Sequence, residues 1–203
     1  MKVRSTLGLA AAAILVVLPL PAMAQVKATE QVKTYAVSGS TGPELYESIG
    51  TNGPRIGGMA VTGTIAHTNF DLKWRRNYQR EGNGCRMVSA IPFLTITYTV
   101  PKAKSTLPAG TAKLWKTFSA GILAHEKVHG QQIRTMADRI YKETVGFFQP
   151  DDPDCKIIRE VIQPLLAAAS MDQRRAASEF DRVEMSDGGN VHQLILSLVN
   201  GGR

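Results

Sequence analysis

The alternation of apolar and polar positions changes period near residue 108. Before that point the period is two. The segments "KTYAVSG" (33–39) and "GMAVTGTIAHT" (58–68) alternate and end in turn formers. "NFDLKWRRNYQ" (69–79) reads as a further strand, and the turn "REGNG" leads into "CRMVSAIPFLTITYTVP" (85–101). In that last piece Leu94, Ile96, Tyr98 and Val100 share one face, and Thr95, Thr97 and Thr99 share the other. Between the first two strands, "TGPELYESIGTNGP" predicts a short helix opened by Thr41 or Gly42 and stopped at Gly50.

After residue 108 the period is helical. Over 111–145, Trp115, Phe118, Ile122, Ile133, Met136 and Ile140 fall on one stripe, which predicts a long amphipathic helix. The break "GFFQPDDPDC" (146–155) ends it. Asp152 before Pro153 signals the cap and first turn of a second helix, which reaches about residue 184 and is kinked or split at Pro164. The tail predicts a turn and a short apolar segment packing back on the body. The expected fold class is α+β: an N-terminal antiparallel β-sheet followed by two long antiparallel helices.

Composition changes this picture at the two ends of the argument, compartment and partners. Lys2 and Arg4 precede the apolar run "LGLAAAAILVVLPLP", which closes on Ala22-Met23-Ala24. This is the pattern of a signal peptide cleaved after Ala24, so a periplasmic or secreted protein is expected, with residues 25–203 as a single domain. No cysteine follows the cut to take a lipid, and no other stretch is long enough to span a membrane, so no membrane anchor is expected after cleavage. The net charge of +7 includes Lys2 and Arg4. The remaining charges are scattered, and the densest cluster, "KWRRNYQR" (73–80), reads as a solvated strand face; no nucleic-acid partner is expected. Cys85 and Cys155, too far apart for a metal motif, predict a disulfide in an oxidising compartment.

The chemistry concentrates in "GILAHEKVHGQQ" (121–132). The gap in the stripe between Ile122 and Ile133 is filled by His125 and His129 in steps of three, four and four, which places both imidazoles on the inward face. Buried imidazoles must be hydrogen-bonded or coordinated. Residues i and i+4 stack on one helix side, so both rings can reach one zinc ion at about 2.0–2.1 Å. Glu126 lies about 100° around the helix from His125, positioned to act as general base on a zinc-activated water. Zinc (Zn2+) is therefore the expected cofactor. Thr135 stands six residues after His129, so the longer motif with a third histidine there is excluded. The third ligand has to come from elsewhere, and the acids of the second helix, Glu160, Asp172, Glu179, Asp181 and Glu184, are candidates with His192 of the tail.

The chain resembles a group of bacterial exported proteins described as predicted secreted zinc-dependent proteases. The matching features are "YAVSGST" with "ELYESI", "GTIAHTNFDLKW", the Cys in "GNGCRM", Trp and Phe ahead of "AHEKVH", a second Cys in the inter-helix break, and a late "FD". The group carries Tyr-Asp with a Thr and then His-Gly shortly after; here Phe180-Asp181 matches the pair, Glu184 stands where Thr would, and no His-Gly follows. The resemblance implies Asp181 as third ligand or ligand-orienting group.

The expected function is thus an exported zinc-dependent metallohydrolase, a peptidase acting on a peptide or protein substrate, with His125, His129 and Asp181 on the metal and Glu126 as catalytic base. A zinc amidase acting on cell-wall peptide links shares this chemistry. The alternative is a non-catalytic periplasmic binding or assembly module with a structural zinc or none. By fold analogy the strand 93–100 is expected to offer a substrate-pairing edge. No residue is marked as oxyanion stabiliser among the tyrosines and His67.

Overall fold

The computed structural model describes residues 26–55 and 63–201. The predicted leader lies outside them, as does the 58–62 part of the predicted strand 58–68. The chain runs β1 (Ala28–Val37), α1 (Gly42–Asn52), β2 (His67–Glu81), β3 (Gly84–Ala103), α2 (Ala109–Thr144), β4 (Phe148–Gln149), α3 (Ile157–Val161), α4 (Gln163–Met185) and α5 (Asn190–Asn200). This is an α+β arrangement with the sheet first and the helices after, as the change of period predicts.

The sheet is mixed, not antiparallel. Its order is β1-β3-β2, with β4 added to β3. β2 and β3 are an antiparallel hairpin turning at Gly82, whose φ of +60° suits a residue without Cβ. β1 runs parallel to β3, from Ala28 opposite Leu94 to Val37 opposite Ala103. Such pairing needs a long connection, and α1 with β2 supplies one. β3 is consequently the central strand, and from Leu94 to Thr99 both of its sides are paired. The substrate-edge role expected of 93–100 cannot belong to it. Residues 63–66 are not strand; β2 starts at His67 and absorbs the predicted strand 69–79.

The inward face of β3 is the predicted one: Leu94, Ile96, Tyr98 and Val100 are all buried. The register shifts between Asn77 and Tyr78, leaving Val88 without an opposite residue, so that Met87 and Ala90 both face inward. α2 lies over this face and divides its core in two. Phe118 and Ile122 pack with Val100, with Leu45 and Ile49 of α1, and with Val191 and Leu198 of α5. Ile133, Met136 and Ile140 pack with Leu94, Ile96, Tyr98 and Ala169. Each such side chain removed from water contributes about 1.5–3 kcal/mol. The stretch 125–130 occupies the seam between these two apolar clusters.

α4 returns antiparallel along α2: Arg139 pairs with Asp172 at 2.7 Å, and Gln132 donates to the carbonyl of Ala176 at 3.4 Å. The second long helix is in fact split at Ile162, and Pro164 sits in the first turn of α4. Asp152 still caps the shorter piece, accepting from the backbone N–H groups of Lys156, Ile157 and Ile158 at 2.8, 3.1 and 2.8 Å, but that piece begins only at Ile157, so Pro153 lies in the preceding turn and not in the first turn of the helix as expected. Burial alone would push this carboxyl up; the three N–H donors and the Arg159 charge outweigh it and hold it below its ordinary value. Beside the cap, Cys85 and Cys155 form the predicted disulfide within a third cluster of Met87, Ala90, Ile158 and Ile162.

The bridge ties the start of β3 to the start of α3 across 70 positions. Replacing both cysteines by alanine is expected to reduce the unfolding free energy by about 4 kcal/mol, the loop-closure term for a ring of this size. Denaturant titration of the double variant beside the oxidised wild type measures it.

Candidate metal centre

His125 and His129 lie one turn apart on α2, and their Nε2 atoms stand 3.2 Å apart. The rings are nearly perpendicular, 79° between planes. Their side chains are 9% and 12% exposed. The antiparallel course of α4 delivers Asp181 to them. Its Oδ1 is 3.1 Å from His125 Nε2 and 2.8 Å from His129 Nε2, while the carboxylate itself is half exposed. Phe180, the preceding residue, stacks on the His125 ring at 4.7 Å and meets the His129 ring edge-on at 5.4 Å. One aromatic face thereby limits the motion of both imidazoles.

Three lone-pair-bearing atoms this close need a proton or a metal ion shared among them. Burial alone would lower the His129 imidazole, but the hydrogen bond and charge of Asp181, the Glu126 charge and the Gln132 amide outweigh it and hold it above its usual value. Burial likewise would raise the Asp181 carboxyl, yet the two imidazoles keep it well below the usual carboxylate range. A tetrahedral ion about 2.0–2.1 Å from each ligand would separate the ligands by about 3.3 Å. The observed separations, 2.8 to 3.2 Å, lie within about half an ångström of that. The donor set fits a divalent metal with an open fourth position, and His125, His129 and Asp181 form a group able to hold one. Gln132 Oε1 lies 3.3 Å from His129 Nδ1, an acceptor that assigns the ring proton to Nδ1 and leaves Nε2 as ligand.

Among the described residues, none of the other acids named as candidate ligands joins this group. Asp172 pairs with Arg139 and Arg175, Glu179 pairs with Arg182, and Glu160 is exposed on α3. His192 faces Asp187 at 4.0 Å. Glu184 stands behind His125, with Oε2 3.6 Å from Nδ1, on the far side of the ring from Asp181.

Glu126 is the most buried member of the motif, at 5% exposure. Its Oε2 accepts from the Thr68 hydroxyl of β2 at 2.5 Å, and that hydroxyl also lies 3.1 Å from the Glu126 carbonyl. Beyond Thr68 the Tyr98 hydroxyl is buried with no hydrogen-bond partner. Burial first, and the Glu126 charge next, push this phenol up. It fits because residue 130 is glycine: a Cβ there would stand 2.2 Å from the Tyr98 oxygen. The most buried line of α2 thus runs Ile122, Glu126, Gly130, Ile133 in steps of four, four and three. The histidines flank that line on the α4 side instead of lying along it. Nothing in the sequence pattern marks Thr68, but the four-four-three stepping through Glu126 and Gly130 is readable there beside the three-four-four stepping through the histidines.

His125, Glu126, His129 and Asp181 line one cleft of about 660 Å³. Residues His67–Phe70 of β2 line it across from α2, and Met185 and Val191 line it as well. Among the described residues nothing pairs with the outer edge of β2. Geometry and fold together define an α+β protein with a two-histidine, one-aspartate cluster in an open cleft. Over residues 32–189 the chain matches the family described as a bacterial protein of unknown function (DUF922), and it belongs to that family. No curated protein and no solved structure matches the chain.

Gly130→Ala is expected to destabilise the fold by about 1–3 kcal/mol, because the fully buried Tyr98 ring must move to admit the methyl group. Thermal unfolding of Gly130→Ala alone and combined with Tyr98→Phe checks the cause: removing the opposing oxygen should recover part of the loss.

Proposed function

We propose that the chain is an exported zinc-dependent metallohydrolase, a peptidase with a zincin-like site. One observation carries the reading: three ligand atoms, from His125, His129 and Asp181, converge beside a buried glutamate in a single cleft. When bound, zinc supplies a Lewis acid and brings water at its open position toward a pKa of about 7. Glu126 takes a proton from the attacking water at the carboxylate oxygen that Thr68 leaves free. The proton is taken as the new C–O bond forms, and Glu126 gives it to the departing nitrogen as the C–N bond breaks. The Thr68 hydroxyl fixes the carboxylate, so little reorganisation is needed for the transfer. An extended peptide pairs with the open edge of β2 at His67–Phe70, which brings its backbone across the cleft.

Export fits two features of the chain, the leader-like first 24 residues and a disulfide of the kind that persists in an oxidising compartment. No helix among the described residues is long and apolar enough to cross a membrane. The resemblance to predicted secreted zinc-dependent proteases points the same way.

Purified protein kept from chelators is expected to carry near-stoichiometric zinc by elemental analysis, and His129→Ala none. A wild type without zinc would overturn the reading. Glu126→Gln is expected to keep its zinc and lose hydrolysis of unfolded protein substrates by about 10²–10⁴-fold. Should wild type and Glu126→Gln both hold zinc and neither cleave any substrate, the ion is structural and the chain is a binding or assembly module.

A further inference from the structure

We infer that Glu184 is a positioning residue for the metal centre, holding the His125 ring so that Nε2 faces Asp181 and His129. This rests on the zinc reading above and extends it to the far side of the ring. An imidazole has two orientations related by a half-turn about its bond to the chain, and only one presents Nε2 to the cluster. His129 has its choice made by Gln132 Oε1 at Nδ1. For His125 the corresponding atom, Nδ1, is buried and makes no hydrogen bond. The oxygen facing it is Glu184 Oε2, at 3.6 Å.

That distance is longer than a hydrogen bond and within the range of an ion pair. Ligation through Nε2 places the ring proton on Nδ1, and the carboxylate then has a donor to close upon. Three features keep Glu184 in place. It lies one residue before the end of α4, and only 18% of its side chain is exposed. Asn190, the first residue of α5, donates to its Oε2 at 3.2 Å. The turn between the two helices is tight enough that a Cβ at Gly189 would stand 2.4 Å from the carbonyl oxygens of Val183 and Glu184. With Phe180 stacked on the ring face, His125 is confined from above, behind and in front.

Metal-ligating histidines with a carboxylate on the second nitrogen lose about 10–100-fold in metal affinity when that carboxylate is removed. The test is a zinc competition titration against a chromophoric chelator, with full-length exported protein, for wild type, Glu184→Ala, Glu184→Gln and Glu179→Ala. Glu179 belongs to the same helix and engages Arg182 at the surface, so it controls for charge and helix stability. Glu184→Ala is expected to bind one zinc 10–100-fold more weakly. Glu184→Gln, which keeps an acceptor, should fall between it and wild type, and Glu179→Ala should match wild type. The cobalt-substituted proteins should share one tetrahedral absorption spectrum. Asn190→Ala, which frees the carboxylate without removing it, should weaken zinc in the same direction by less. Wild-type affinity in Glu184→Ala overturns the inference and leaves the zinc reading intact. Loss of stoichiometric zinc or a changed cobalt spectrum in Glu184→Ala also overturns it, by making Glu184 a ligand. A wild type without zinc sinks both.

Discussion

Two imidazole nitrogens and a carboxylate oxygen are held within 3.2 Å of one another at the seam between two apolar cores, and this convergence constrains the rest of the structure. A cluster of that kind tolerates no slippage, because a shift of one residue along α4 would turn Asp181 about 100° away. The register of α4 on α2 is set well outside the cluster. Arg139 pairs with Asp172 about three to four turns from the histidines, and Gln132 reaches the Ala176 carbonyl between them. Farther out, the Asp152 cap and the disulfide set where the returning helices begin. Stability and site geometry are therefore one problem here.

Glu126 presents the opposite constraint, a carboxylate placed in the middle of a buried helix face. Burying an unpaired charge costs several kcal/mol, so the sheet has to answer it. Thr68 does so with one hydroxyl that reaches both the carboxylate and the carbonyl of the same residue. Tyr98 adds a second hydroxyl close by, in space that only glycine at 130 leaves open. Such a carboxylate is fixed by its surroundings instead of by solvent. That is the condition under which a base acts without reorganising.

Much of the fold was legible because periodicity reports burial. The face Leu94, Ile96, Tyr98 and Val100 and the stripe of α2 follow from spacing alone, and Asp152 and the cysteine pair carry local or compartmental chemistry. What periodicity lacks is partner identity. It could not tell that β1 joins β3 in parallel, which turned the supposed edge strand into the centre of the sheet. Nor could it choose between two registers through the gap in α2, since 125 with 129 and 126 with 130 bridge Ile122 and Ile133 equally well. The structure uses both, the second for the buried line and the first for the cluster. The third ligand candidate was open for the same kind of reason. Spacing left five acids and a histidine, the resemblance pointed to Asp181, and the packing of α4 on α2 brings Asp181 to the histidines.

The open edge of β2 is not uniform, and its variation follows the cleft. Exposed edges invite unwanted pairing, and charged side chains are a common means of blunting them. From Asp71 onward β2 carries Lys73, Arg75, Arg76, Arg80 and Glu81, so most of its length is guarded. The four residues before them, His67 to Phe70, carry no formal charge with histidine neutral, and these are the ones that line the cleft across from α2. The longest uncharged stretch of this edge is thus the one that borders the histidine-aspartate cluster, where a guest strand could pair. In the proposed function that guest is the substrate backbone, and the charges beyond Phe70 limit how far along β2 it can extend.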